Sequence, residues 1–148
     1  MSDLIIIGYD GSDEAKRATA LVPRLVRADR AVVISVWHDG GLIAAGAPVA
    51  MSPPIESIDG ALIAAAQELA EDGALRATLA GLEVTAATRH APAPGAIGHA
   101  LLDAADDYDA DLVVVGHGGH SLLADALFGS VSTEVVRDGR RPVLVIPA

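Results

Sequence analysis

The chain has 148 residues, 51% of them hydrophobic but only 3% aromatic, so its core must be built from aliphatic side chains and alanine, in a length that suits one domain. Ten Lys and Arg against twenty Asp and Glu leave a formal net charge of −10 without a basic cluster, which argues against nucleic-acid binding through phosphate contacts. Cysteine is absent, which excludes disulfides and thiolate metal sites.

No apolar run approaches the roughly 20 residues needed to span a bilayer. The opening MSDLIIIGYD has no basic leader and too short an apolar run for a signal peptide. A soluble cytoplasmic protein without membrane contact is expected.

Leu4 to Ile7 is a short apolar run closed by Gly8, the pattern of a strand buried on both faces of a parallel sheet. Asp10, Gly11 and Ser12 make a turn, and Ser12 suits the N-cap of the helix that follows. Asp13 and Glu14 lie in its first turn, where carboxylates complement the dipole. Ala15, Ala18, Val22, Leu25 and Val26 hold helical spacing, so a helix is expected from about 12 to 28, bent where Pro23 removes a backbone donor. Ala31 to Trp37 forms the second strand. Residues 38–57 contain Gly40, Gly41, Gly46, Pro48, Pro53 and Pro54 and read as a long loop. From about Ile58 to Ala80 the pattern is helical, with Leu62, Ala66, Leu69 and Leu75 on one side and Gly81 as a C-cap. Leu82 to Thr88 is the third strand, and His90 to Gly95, with Pro92 and Pro94, is a loop. Ala96 to Tyr108 is a helix turning Ile97, Leu101, Ala104 and Ala105 inward. Leu112 to Val115, closed by Gly116, is the fourth strand. A helix runs from Val131 or Ser132 to about Arg137, and Pro142 and Pro147 frame the last strand, Val143 to Ile146.

Five strands alternating with four helices, without a repeat or linker, predict a single domain over residues 1–148: a doubly wound, Rossmann-like α/β fold with right-handed crossovers and helices on both faces. Ligands of such sheets sit beyond the carboxyl ends of the strands, at the switch point where the connections diverge.

The chemistry concentrates in LVVVGHGGHSLLADALFGSVS, residues 112–132. A strand ends in a loop bearing Gly116 and Gly119, and that loop delivers Gly129 and Ser130 to a helix N-terminus. The first N–H groups of a helix lack intrahelical acceptors, and its dipole makes that end partly positive. Glycine allows close main-chain approach, and the hydroxyls of Ser130 and Ser132 add donors. Together they describe an anion site, most suitably for phosphate. Singly, each has a plainer reading: glycines that turn the chain, a serine that caps a helix. His117 and His120 lie inside the loop and are either phosphate contacts or solvated residues. Asp10 is either a ligand-contacting carboxylate or an Asx-turn residue, and Val36 alone reads as core. Asp103, Asp106, Asp107, Asp109 and Asp111 read as a solvated acidic rim. The five histidines show no metal-binding spacing, and neither a Walker loop nor a G-x-S-x-G nucleophile motif is present.

The pattern G-x2-G-x9-G-S, with the apolar strand before it, VS after it and PVLVI near the end, resembles the nucleotide-binding signature of the universal stress protein family in its ATP-binding branch. The opening IIIGYDGS resembles that family's first strand and loop, so the likeness spans nearly the whole chain. It implies the strand order 3-2-1-4-5 and a nucleotide pocket lined by Gly8, Tyr9, Asp10 and the main chain of Val36. It also implies phosphates held by Gly116, His117, Gly119, Gly129, Ser130, Val131 and Ser132. The chain departs from the family in having no Lys or Arg between Gly116 and Ser132, so Mg²⁺ is expected to share the phosphate charge. The resemblance implies an ATP-binding, nucleotide-responsive regulator or stress-response factor. The alternatives are a slow ATP hydrolase or phosphotransferase, for which no catalytic residue can be named, and an interaction module of the same fold without nucleotide. The apolar Val143, Leu144, Val145 and Ile146 would lie at a sheet edge and pair two copies into a homodimer.

Overall fold

The computed structural model describes residues 3–39, 55–117 and 130–147. In chain order they form β1 (Leu4–Gly8), α1 (Asp13–Leu25), β2 (Arg30–His38), α2 (Ile55–Leu79), β3 (Glu83–Ala91), a 3₁₀ turn (Pro94–Ala96), α3 (Ile97–Asp107), β4 (Leu112–Gly116), α4 (Ser130–Asp138) and β5 (Val143–Ile146). The strands make one sheet in the order β3-β2-β1-β4-β5, every pairing parallel. This is the expected doubly wound arrangement, with β1 and β4 adjacent at the centre. Among the described residues no helix is long and apolar enough to cross a membrane.

The apolar runs have a direct cause. Successive residues of a strand face opposite sides, and here both sides are covered. Ile5, Ile7, Ala31, Val33 and Val114 pack with Ala15, Ala18 and Val22 of α1 and Ala77 of α2. Ile6, Val32, Ile34, Val113 and Val115 pack with Leu101, Ala104 and Ala105 of α3 and Val135 of α4. Burying each branched aliphatic side chain contributes about 1.5–3 kcal/mol, so the centre of the sheet dominates the favourable side of folding.

Several boundaries differ from expectation for identifiable reasons. Ser12 caps α1 as expected, accepting the Ala15 N–H at 3.2 Å, but the helix stops at Leu25 rather than 28. Pro23 falls in its last turn, and Val26 is extended, with φ −130° and ψ 138°. Pro23 withholds an N–H from the turn before it, and the helix ends two residues later. α2 begins at Ile55, inside the predicted loop, whose residues 40–54 lie outside the described ones.

The buried side of α2 is made of its smallest residues. Ala66, Ala70 and Ala77 are buried, as is Gly73, and Leu62 is only half-buried, whereas Leu69 and Leu75 are 36% and 60% exposed. A Cβ on Gly73 would stand 2.7 Å from Tyr9 Cγ and 2.8 Å from Val33 Cγ1. The helix lies too close to the sheet for leucines, so its smallest residues make the contact.

α3 ends as the spacing predicts. Asp109 takes a positive φ of 51°, and the Ala110 N–H returns to the Ala105 carbonyl at 2.9 Å, closing the helix with a left-handed cap. Arg141 ties this turn to β5 through Asp106 at 3.1 Å and Asp109 at 3.5 Å. The five aspartates around it are exposed, as a rim, though partly neutralised by arginine.

Candidate functional site

The strands end at different heights. β1 stops at Gly8, opposite Ile34, while β2 continues to His38 in register with β3 to Ala91. Beyond β1 and β4 the two longer strands therefore stand as a wall. The N–H of Tyr9 reaches the Ile34 carbonyl at 2.9 Å, and the buried Ser35 hydroxyl donates to the Tyr9 carbonyl at 2.7 Å. Both backbone groups of Tyr9 are thereby committed to the wall, and the chain leaves the sheet at a fixed place.

Asp10 comes next, exposed at the floor of the step. Its Oδ1 accepts the Ser12 N–H at 2.9 Å. The turn reading of Asp10 is thus correct, and exposure leaves the carboxylate accessible as well. On β4, Gly116 abuts the start of α1: a Cβ there would meet Glu14 Cβ at 2.8 Å and the Glu14 carbonyl carbon at 3.3 Å. The His117 N–H donates to the Ile146 carbonyl at 2.8 Å, extending the β4–β5 ladder one residue past the strand.

The structure brings Gly8, Asp10, Gly116 and His117 together at the carboxyl ends of β1 and β4, with Val36 on the wall beside them. Gly119, Gly129 and His120 lie outside the described residues. Ser130 opens α4. Ser132 is buried, and Val131 packs half-buried against the α3-side core. Val36 packs on the same side, as its plain reading held, which leaves its main chain for any ligand.

The side chain of Tyr9 turns away from the crevice. It is 3% exposed and enters the core between β1 and α2, where its hydroxyl donates to Asp72. Burial, reinforced by the Asp72 hydrogen bond and charge, pushes the phenol up to about 12. Tyr9 and Arg76 hydrogen bonds hold the Asp72 carboxyl below the usual carboxylate range, the Arg76 Nε standing 3.0 Å away. Tyr9 thus anchors the end of β1 to α2.

Two further groups were not anticipated. Trp37 and His90, facing each other on the wall, have ring centroids 4.3 Å apart, and His90 Nε2 lies 2.9 Å from Asp39 Oδ1. On the opposite side of the sheet, Glu134 of α4 is buried against α3, accepting the His99 N–H at 2.9 Å. Each grouping joins residues of different elements, and a cross-element contact leaves no local periodicity to read.

The step at the β1/β4 junction places the chain among the open, doubly wound α/β proteins whose ligand crevice lies at the switch point. A profile of the universal stress protein family matches residues 1–147, and the chain belongs to that family. It is 31% identical over 142 residues to universal stress protein Rv1636 of Mycobacterium tuberculosis, covering 96% of this chain and 94% of that one. Among solved structures it is similar to hypothetical protein MJ0577, with a TM-score of 0.79 at 19% identity, covering 100% of this chain and 97% of that one. It is also similar to a universal stress protein in complex with cAMP, with a TM-score of 0.60 at 24% identity, covering 97% and 95% of the two chains. Likeness at these identities concerns the fold.

Proposed function

We propose that this protein binds ATP with Mg²⁺ in the crevice above β1 and β4 and acts as a nucleotide-responsive regulator in a stress response. The observation that carries this reading is the convergence of the Gly8–Asp10 and Gly116–His117 segments at the switch point, in a chain whose next described helix opens at Ser130. The structural relative in complex with cAMP supports nucleotide as the ligand class. Asp10 and the Val36 main chain are assigned to the nucleoside. Gly116, His117, Gly119 and Gly129, with the start of α4 from Ser130 to Ser132, are assigned to the phosphates.

The metal fits as a shared ligand rather than a resident one. Among the described residues no three His, Cys, Asp or Glu side chains are grouped to hold an ion. Mg²⁺ commonly takes few protein carboxylates and completes its shell with phosphate and water, and here the phosphates and water would supply most of that shell. With no Lys or Arg between Gly116 and Ser132, the cation would carry the charge that side chains supply elsewhere. The same lack makes fast hydrolysis unexpected, because electrostatic stabilisation of the transferring phosphoryl group is a large catalytic term.

Calorimetric titration with ATP, with and without Mg²⁺, tests the reading, with NAD, FMN and cAMP as comparators. Saturable ATP binding that weakens without Mg²⁺ is expected, as is its loss in a folded Gly129→Val variant, where a β-branched side chain blocks main-chain approach. No heat change at saturating ATP, or unaltered binding by that variant, would place the ligand or the site elsewhere. ATP turnover is expected far below the usual enzyme median of about 10 per second.

A further inference from the structure

α3 lacks a cap of its own. Ala96 occupies the N-cap position and makes no side-chain hydrogen bond. The vacancy is filled from another helix: Glu134 of α4, 6% exposed, accepts the His99 N–H through Oε1 at 2.9 Å. The same oxygen meets Nδ1 of the His99 imidazole. Gly98 makes this possible, since a Cβ there would stand 2.8 Å from Glu134 Cβ and Cδ. On its other side, His99 Nε2 faces Asp138 Oδ2 at 3.3 Å, one turn further along α4.

The chemistry of that arrangement is specific. A neutral imidazole has one N–H donor and one lone-pair acceptor, whereas the imidazolium has two donors. Here both ring nitrogens face carboxylate oxygens. Either neutral tautomer turns a lone pair onto one of them; only the protonated ring satisfies both. The other groups around the ring are Asp103 on the next turn of α3 and Asp106, Arg140 and Arg141, which with Asp138 and His99 line a cavity of about 270 Å³. Arg137 holds Asp138 from its far side, at 2.8 Å and 2.9 Å.

We propose that His99, Glu134 and Asp138 form a proton-dependent clasp between α3 and α4 that sets how the N-terminus of α4 is presented to ligand. Glu134 lies four residues, about one turn, from Ser130, so the clasp grips α4 immediately behind its first turn. Protonated, the ring bridges both carboxylates and α4 is held against α3. When the ring gives up that proton it keeps one donor and turns a lone pair onto a carboxylate oxygen, so the bridge loses a donor and the grip loosens. The consequence for ligand rests on the ATP reading above: proton and nucleotide would bind with positive coupling, through one helix.

The test separates clasp from ligand. Hydrogen exchange of the α4 amides, corrected for intrinsic rate, is followed from pH 5.5 to 8.0 in the parent, in His99→Gln and in Glu134→Gln. The parent is expected to lose about fivefold or more of its α4 protection across this range, while both variants stay at the lower level throughout. PH-independent protection in the parent, or an unchanged pH response in His99→Gln, would overturn the clasp, whatever the ligand. The second arm is the ratio of ATP affinities at pH 5.5 and 8.0. The ratio should exceed that of His99→Gln by a similar factor, and comparing the two proteins cancels the titration of ATP itself. Equal ratios would disconnect the clasp from the site, while failure of the parent to bind ATP at either pH would refute the ATP reading and leave the exchange arm to decide the clasp.

Discussion

Two glycines at the rim owe their place to packing. A Cβ on Gly8 would stand 2.9 Å from Leu101 Cδ1 of α3, and one on Gly116 would stand 2.8 Å from Glu14 Cβ of α1. Each lets a helix press against the end of a strand, so that the first turn of α1 sits directly beside the end of β4. Tyr9 does the complementary work, pinning β1 to α2 by its ring and hydroxyl. Its phenol, pushed up to about 12 by burial first and the Asp72 hydrogen bond second, keeps its proton in the folded state beyond the ordinary tyrosine value near 10. A raised value means that the contribution is complete below about pH 10 and is lost as pH climbs toward 12. Replacing Tyr108 with Phe leaves Tyr9 as the one remaining tyrosine. The tyrosinate absorbance of that variant should rise near pH 12, together with loss of the folded circular dichroism signal. A rise near pH 10 in the still-folded variant would mean that the phenol is not held as described. Tyr9→Phe should cost about 1 kcal/mol, the usual worth of a hydrogen bond whose acceptor retains another partner, here Arg76.

At the scale of the elements, α2 carries a clear test of why its small residues are where they are. Gly60 and Gly73 occupy the same helix, but a Cβ on Gly60 would meet nothing within 4 Å, while one on Gly73 would collide with Tyr9 and Val33. Gly60→Ala should therefore stabilise the fold by about 0.5–1 kcal/mol through helix propensity. Gly73→Ala should destabilise it by about 1–3 kcal/mol through overpacking, despite the same propensity gain. Urea unfolding of the two variants decides; shifts of the same sign would show that the α2–sheet distance is not what sets the residue size. The same stripe shows where reading the chain falls short. Strands and most helices were legible because burial on both faces leaves uninterrupted apolar runs and a cap leaves Ser12 before an acidic first turn. The buried side of α2 was not, because leucine spacing marks apolar character, whereas closeness to the sheet selects alanine and glycine. The anchoring role of the Tyr9 side chain was not legible either, because its partner Asp72 lies 63 residues away. The clasp at His99 and Glu134, 35 residues apart, had no sequence signal beyond an uncapped helix and a neighbouring glycine.

For the molecule as a whole, the alternation of elements was enough to establish a parallel α/β sheet, while the order of its strands came from resemblance. That order leaves β5 at an edge, and the edge leads to assembly. β5 pairs with β4 from Val143 to Ile146. The Val113 N–H bonds the Pro142 carbonyl at 3.0 Å and the His117 N–H bonds the Ile146 carbonyl at 2.8 Å. Backbone groups alternate sides along a strand, so residues 142, 144 and 146 turn theirs toward β4, and Val143 and Val145 turn theirs outward. No charged residue interrupts these four positions, and an apolar edge with outward donors and acceptors is a template for another strand. Two copies meeting about a two-fold axis would pair antiparallel and close both edges, which is the homodimer expected from the sequence. Val145→Pro removes one outward donor and leaves the bonds to β4 in place, because proline lacks only its own N–H. At micromolar concentration the parent should sediment as a dimer, and Val145→Pro, with a native circular dichroism spectrum, should sediment mainly as a monomer. A monomeric parent, or a folded variant that still dimerises, would move the interface away from β5.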